Sequence, residues 1–266
     1  FLQYCNRCWT EQSVPSEWST SAVSVIFKKG DPAECGNYRP ICLLTVCHKL
    51  LMSMIKQRLL DAGVDEFIWP SQFGFHAGCS TEHAIYIARR RIELARAQRG
   101  GQVSLLALDW AKAFDSLNVS SLIDALRRFG LAASMLNILR NVLCARTFYV
   151  RDCGSTSDLR PQCSGISQGC SLSPLLFVMA MSVLLSDASS MPSAPAQLAY
   201  DRGDLSDVVY ADDTLLISVS NAHLAEYLHA VAIAGERYGM ELHWNKFQLL
   251  PVQCTPALHT PSGVPI

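Results

Sequence analysis

Asp212 and Asp213 stand side by side between two largely apolar runs, Asp207-Val-Val-Tyr210 and Thr214-Leu-Leu-Ile-Ser218. Two such runs around so short a polar step read as a strand–turn–strand hairpin with acids at its tip. Adjacent carboxylates repel one another, and strands of Val, Tyr, Leu and Ile offer them little solvation. Such a pair persists where cations neutralise it. A small cluster of hard oxygen donors suits Mg²⁺, with Mn²⁺ as the alternative ion. A third acid, Asp109, closes the run Val103–Asp109, the pattern of a buried strand that delivers a carboxylate at its C-terminal edge. If the strands are neighbours in one sheet, the three acids converge. Two metal ions roughly 3.5–4 Å apart would then activate an attacking hydroxyl and stabilise a leaving pyrophosphate. Taken singly, each feature has an ordinary alternative. Asp-Asp is common turn chemistry, Asp109 suits a strand-end cap, and Asp115 suits the N-cap of the helix that follows it.

The elements that must carry these acids are mixed α and β. Val23–Phe27 is a short β-branched strand leading into a Lys-Lys-Gly-Asp turn. Leu43–Leu60 has an apolar face through Leu43, Leu50, Leu51, Met54, Ile55 and Leu59 and reads as a helix closed by Gly63. Ser80–Gln98 reads as a second helix capped by Ser80 or Thr81, with arginines on its flank. Ser120–Phe129, stopped by Gly130, and Met135–Cys144 are amphipathic. Pro174 suits the first turn of a helix over Leu175–Leu185. Met191–Gly203, rich in Pro, Ser and Ala, reads as a loop or insertion. Asn221 is the expected cap of a helix running to Tyr238 and ending at Gly239, and the chain beyond Pro251 reads as a tail.

Half of the 266 residues are apolar and 17% are charged, which is the composition of a chain with a sizeable core and excludes a disordered one. A formal net charge of −1 withholds the overall basic balance of many nucleic-acid binders. The basic residues are nonetheless grouped: Lys28-Lys29, Arg89-Arg90-Arg91 with Arg96 and Arg99, and Arg127-Arg128. The eleven cysteines follow no repeating frame, and Cys5-x-x-Cys8 lacks a second pair at zinc spacing, so reduced, mostly buried thiols of an intracellular protein are the simpler account. No stretch reaches the roughly 18 apolar residues of a membrane span. Leu172–Leu185 comes nearest, carries Ser173, Pro174 and Ser182, and reads as a buried helix. No signal peptide is recognised, so an intracellular location, nuclear or cytoplasmic, is expected, with no membrane partner. The first residue is Phe rather than Met, which reads as a piece of a longer protein.

In order, the motifs resemble the reverse transcriptases of non-LTR (LINE-like) retrotransposons over nearly the whole chain. Val14-Pro-Ser-Glu-Trp18 and Val25-Ile-Phe-Lys-Lys-Gly-Asp-Pro32 resemble the opening block, and Asn37-Tyr-Arg-Pro-Ile41 the fingers motif. Gln72-Phe-Gly-Phe75 matches the next block. Leu108-Asp-Trp-Ala-Lys-Ala-Phe-Asp115 looks like motif A, Gln168-Gly-Cys-Ser-Leu-Ser-Pro-Leu175 like motif B, and Tyr210-Ala-Asp-Asp213 like motif C. Gly239 through Lys246 resembles motif D. Ser171 stands where proline is frequent in motif B.

The resemblance implies an RNA-directed DNA polymerase, a nucleotidyltransferase that copies retrotransposon RNA with an RNA template, a DNA primer, dNTPs and two Mg²⁺ ions. Asp109 and Asp212 would ligate both ions and Asp213 would complete the cluster. Phe114 would exclude a ribose 2′-hydroxyl, and Gln168 would contact the incoming nucleotide and template, with Gly169 permitting close backbone approach. Lys28 and Arg39 would hold the triphosphate, and Lys246 would protonate the leaving pyrophosphate. The implied fold class is α+β, a right-hand polymerase whose fingers and palm pack an antiparallel palm sheet on helices. The expected division is an N-terminal extension and fingers over 1–100, palm over 101–250, and a tail over 251–266 that stops before the primer grip and thumb. A group II intron reverse transcriptase/maturase and a non-catalytic RNA-binding retrotransposon remnant are the two rival readings.

Overall fold

The computed structural model describes residues 1–144, 146–255, 258–260 and 263–266. In chain order the elements begin with α1 (Leu2–Glu11), β1 (Thr20–Phe27), β2 (Tyr38–Leu43), α2 (Val46–Asp61) and α3 (Thr81–Ala97). They continue with β3 (Val103–Leu108), α4 (Ala113–Ser116), α5 (Val119–Arg128), α6 (Ala133–Cys144), β4 (Thr147–Asp152), β5 (Ser155–Thr156) and β6 (Arg160–Pro161). The last are α7 (Ser173–Ser189), α8 (Ala194–Arg202), β7 (Leu205–Tyr210), β8 (Asp213–Ser218), α9 (Asn221–Arg237) and β9 (Gln248–Val252). They group into two compact units: Phe1–Val64 with Leu117–Leu176, and Asp65–Ser116 with Phe177–Ile266.

The first unit is built on a sheet of order β2-β1-β4-β5, with β6 also paired to β4. β1 runs antiparallel to β2 and parallel to β4. α5 has a sharply one-sided apolar face (Val119, Leu122, Ile123, Ala125, Leu126) that packs with α6. Its N-cap is Asn118, whose Oδ1 accepts from the N–H groups of Ser120 and Ser121 at 2.9 and 3.2 Å. Asp115 is therefore not the cap expected of it; it lies inside α4. α2 starts later than its apolar pattern suggested, because Thr45 is its N-cap and Leu43 ends β2.

The second unit holds an antiparallel sheet of order β7-β8-β3-β9. β3 is almost wholly buried, which its uninterrupted apolar run requires of a central strand. One face meets α3, where Val103, Leu105, Val208, Ile217 and Val252 pack with Ala88, Ile92 and Ala95. α9 packs on β8 and α8 on β7. Ser220, rather than Asn221, caps α9 by accepting from the N–H of His223. The Asn221 side chain instead accepts from Ser104 Oγ at 2.8 Å. α8 occupies most of the stretch expected to be a loop, with Ser193 before it, Pro195 in its first turn and Gly203 left-handed at its end. From Leu175 to Leu185 α7 is buried on all sides, as an all-round apolar stretch must be.

Candidate active site

β3 and β8 pair so that Leu108 faces Thr214, and β7 and β8 so that Tyr210 faces Asp213. Asp109 directly follows the last β3–β8 pair on one strand and Asp213 directly precedes it on the other. Ala211 and Asp212 form the two-residue hairpin turn. Ala211 is left-handed, with φ of 59°, a conformation costing an L-residue about 1–2 kcal/mol. The register therefore brings the three predicted acids to one end of one sheet. Asp109 and Asp212 are half-buried and Asp213 is exposed.

The backbone of Asp109 is fixed on its other side by the 241–243 segment. His243 N–H donates to Asp109 O at 2.7 Å and Ala111 N–H to Glu241 O at 2.8 Å. That chain continues into a single 3₁₀ turn, Trp244–Lys246, which carries the Lys246 ammonium to 2.9 Å from Asp109 Oδ2. The approach lacks hydrogen-bond alignment, and Oδ2, itself buried, accepts no hydrogen bond. Among the described residues no group of three or more His, Cys, Asp or Glu side chains is gathered closely enough to hold a metal ion. The acids share one sheet end, with an ammonium beside one of them.

Trp110 and Thr214, to which the sequence reading assigned no role, link the two acid-bearing strands. Trp110 Nε1 donates to Thr214 Oγ1 at 3.1 Å, and Thr214 Oγ1 donates to the carbonyl of Asp212 at 3.1 Å. Phe114 is half-buried and stacks on Phe177, with ring centroids 4.3 Å apart and planes 14° from parallel. Gln72, quoted above only as part of a motif, reaches the Ala211 turn with its side-chain amide. No local pattern marks it, because its partner is 139 residues away.

The remaining predicted residues belong to the first unit. Lys28 N–H donates to Asn37 O at 2.8 Å, continuing the β1–β2 register in which Ile26 faces Arg39. Lys28 and Arg39 therefore leave the same face of that hairpin, and both are exposed. The Gln168–Gly169 loop docks on the same strand: Cys42 N–H donates to Gln168 O at 2.7 Å. Gly169 has φ of 119°, and a Cβ there would stand 2.5 Å from Cys42 O, so a side chain is excluded by conformation and by space. Under this loop lies Arg146, which donates to Gly165 O at 2.6 Å, Ser167 Oγ at 3.1 Å and Leu143 O at 2.9 Å. Of the basic clusters, Arg89 and Arg90 pair with Glu93, and Arg127 with Asp124. Cys5 and Cys8 are buried on α1, and burial pushes both thiols up.

The family model for reverse transcriptase (RNA-dependent DNA polymerase) matches residues 26–256. The chain is 29% identical over 254 residues to the Retrovirus-related Pol polyprotein from type-1 retrotransposable element R2 of Popillia japonica, covering 95% of this chain and 35% of that protein. It is 31% identical over 246 residues to the Probable RNA-directed DNA polymerase from transposon BS of Drosophila melanogaster, covering 88% and 26%. The chain thus spans about a third or less of the length of these curated relatives. Among solved structures, telomerase from Candida Tropicalis in complex with a TWJ fragment of telomeric RNA superposes with a TM-score of 0.64 at 13% identity, covering 97% of this chain and 46% of that one. Its apo form truncated from the C-terminal domain gives 0.61 at 13%, covering 96% and 56%. That likeness concerns the fold, which is α+β and of the reverse-transcriptase polymerase type. Among the described residues no helix is long and apolar enough to cross a membrane. The chain belongs to the reverse transcriptase (RNA-dependent DNA polymerase) family, and within it resembles the enzymes of non-LTR retrotransposons.

Proposed function

We propose that this chain is the catalytic portion of an RNA-directed DNA polymerase that extends a DNA primer on an RNA template, with the palm in the second unit and the fingers in the first. The observation that carries the reading is the strand register that aligns Asp109 with the Asp212–Asp213 turn. The donor chemistry suits Mg²⁺, since Asp109, Asp212 and Asp213 are hard oxygen donors at one sheet end. A bound ion would have to draw them closer together and displace Lys246 from Asp109 Oδ2. Two bound Mg²⁺ ions would supply the charge that activates the primer hydroxyl and steadies the pyrophosphate.

The residues of the chain do the rest. Asp109, Asp212 and Asp213 would hold the cations at that end of the sheet. Lys28 and Arg39, on one hairpin face, take the triphosphate of the incoming dNTP, where an ammonium and a guanidinium fork suit phosphate oxygens. Gln168 and Gly169 meet the nucleotide with a loop whose backbone is pinned to β2. Phe114, stiffened by its stack on Phe177, excludes the 2′-hydroxyl. Lys246 gives its proton to the departing pyrophosphate. RNA–DNA hybrid is held through its backbone and 2′-hydroxyls, so affinity weakens steeply with salt.

The test is primer extension by the purified chain on matched RNA and DNA templates, beside Asp212→Asn. Metal-dependent extension on RNA that falls by about 10³-fold or more in the variant is expected, since a lost cation ligand removes several kcal/mol of transition-state stabilisation. A folded wild type that binds the hybrid without extending it would instead mark a non-catalytic RNA-binding chain.

A further inference from the structure

The residues Ser71–Phe73 lie alongside β7 and join it through a single parallel bridge. Val209 N–H donates to Ser71 O at 2.9 Å, Phe73 N–H donates to Val209 O at 2.8 Å, and Gln72 pairs with Val209 in parallel. This carries the Gln72 side chain, only 1% exposed, into the back of the acid-bearing turn. Its Oε1 accepts from the N–H groups of Ala211 and Gly74, both at 2.8 Å, and its Nε2 donates to the Ala211 carbonyl at 3.2 Å. One amide thus takes both backbone polar groups of the left-handed residue before Asp212. Ala211 is itself buried, so those groups would otherwise lack partners, a costly state for backbone polar groups away from water.

The surroundings fix the amide in turn. Gly74 lies so close that a Cβ there would meet Ala211 N at 2.2 Å. Upstream, Trp69 Nε1 and Ser71 Oγ donate to the buried carboxylate of Asp207, and Trp69 N–H donates to Ser182 Oγ at 2.9 Å. Tyr200 and Tyr227 hydroxyls donate to the other Asp207 oxygen. Burial and that neighbouring carboxylate push both phenols well above their ordinary range, keeping them as donors. The network holds Gln72 by its backbone, and Gln72 holds the turn by its side chain. A primary amide suits the task because it presents a donor and an acceptor at one terminus.

We propose that Gln72 is a positioning residue for the metal-binding turn: its amide locks Ala211 in the left-handed conformation that presents Asp212 to the cation. The role rests on the metal function proposed above, and the test separates the two. Wild type, Gln72→Met, Gln72→Glu and Asp212→Asn are compared by Mn²⁺ binding (electron paramagnetic resonance), by amide hydrogen exchange at Ala211 and by thermal unfolding. Gln72→Met keeps the length and loses every hydrogen bond. It should bind Mn²⁺ about five- to tenfold more weakly and exchange the Ala211 amide at least about tenfold faster, as expected for one or two lost hydrogen bonds. Gln72→Glu keeps the acceptor and should retain Ala211 protection, so it also serves if the Met variant does not fold. A folded Gln72→Met that binds Mn²⁺ like wild type, or loss of Ala211 protection in Gln72→Glu, overturns the role. Wild-type Mn²⁺ affinity indifferent to Asp212→Asn overturns the metal reading, and this role with it, even where the exchange data show the amide bonds intact.

Discussion

At 2.9 Å from Asp109 Oδ2, the Lys246 ammonium would compete for that oxygen with the divalent cation proposed above. Both side chains are substantially exposed, so the pair adds at most about 1 kcal/mol to stability. Lys246→Met should therefore leave the unfolding temperature within about 2–4 °C of wild type. It should also tighten Mn²⁺ binding about three- to tenfold, because the ion no longer displaces a cation. Titration of Mn²⁺ against both proteins decides it, and unchanged or weaker binding would remove Lys246 from the site. The acids themselves were legible in the sequence, because two charged residues inside an apolar hairpin are conspicuous and a third ends an apolar strand. Gln72 and Trp110 were not. Their work is done through partners more than a hundred residues away, and neither carries a charge that looks out of place.

Elements were legible where their pattern was unmixed, as in Val103–Asp109, Ser80–Gln98 and the motif C hairpin. α8 departs from the loop its composition suggests, because its Pro and Ser, loop residues by type, stand where they form a helix start. Pro251 was read as the end of structure, yet it pairs with Ser104 in β9, the edge strand of its sheet, where proline is tolerated. Inside α9, Gly235 is the point where the helix accepts the Trp110 ring: a Cβ would fall 2.5 and 2.7 Å from two ring carbons. Gly235→Ala should gain about 1 kcal/mol of helix propensity and lose about 1–3 kcal/mol to overpacking of a ring that is 4% exposed. The ring cannot swing away without breaking its bond to Thr214, so the clash should win by about 1 kcal/mol. Urea unfolding measures the balance, and a variant as stable as wild type would show that α9 shifts freely.

For the molecule as a whole, acid sensitivity should be set in part by His48, buried in the first unit. Burial lowers its pKa from the ordinary 6.5; a backbone hydrogen bond with Trp18 raises it and the nearby Arg146 charge lowers it further. The native state then binds fewer protons than the unfolded chain. The resulting stability is full above about pH 6.5 and is lost as pH falls through the folded value. Unfolding temperatures of wild type and His48→Gln, measured from pH 8 to 5, should converge as the pH drops, and a constant difference would exclude His48 as the source. The interleaving of the units has a consequence for the nascent chain. β3 lies between β8 and β9, both made on the order of a hundred residues later. At ribosomal speed that leaves Val103–Leu108 without either neighbour for roughly 5–20 s, an apolar strand with two open edges. α3, synthesised just before it and presenting Ile87, Ala88 and Ile92 to the same face, is in place to shield that strand while the ribosome works.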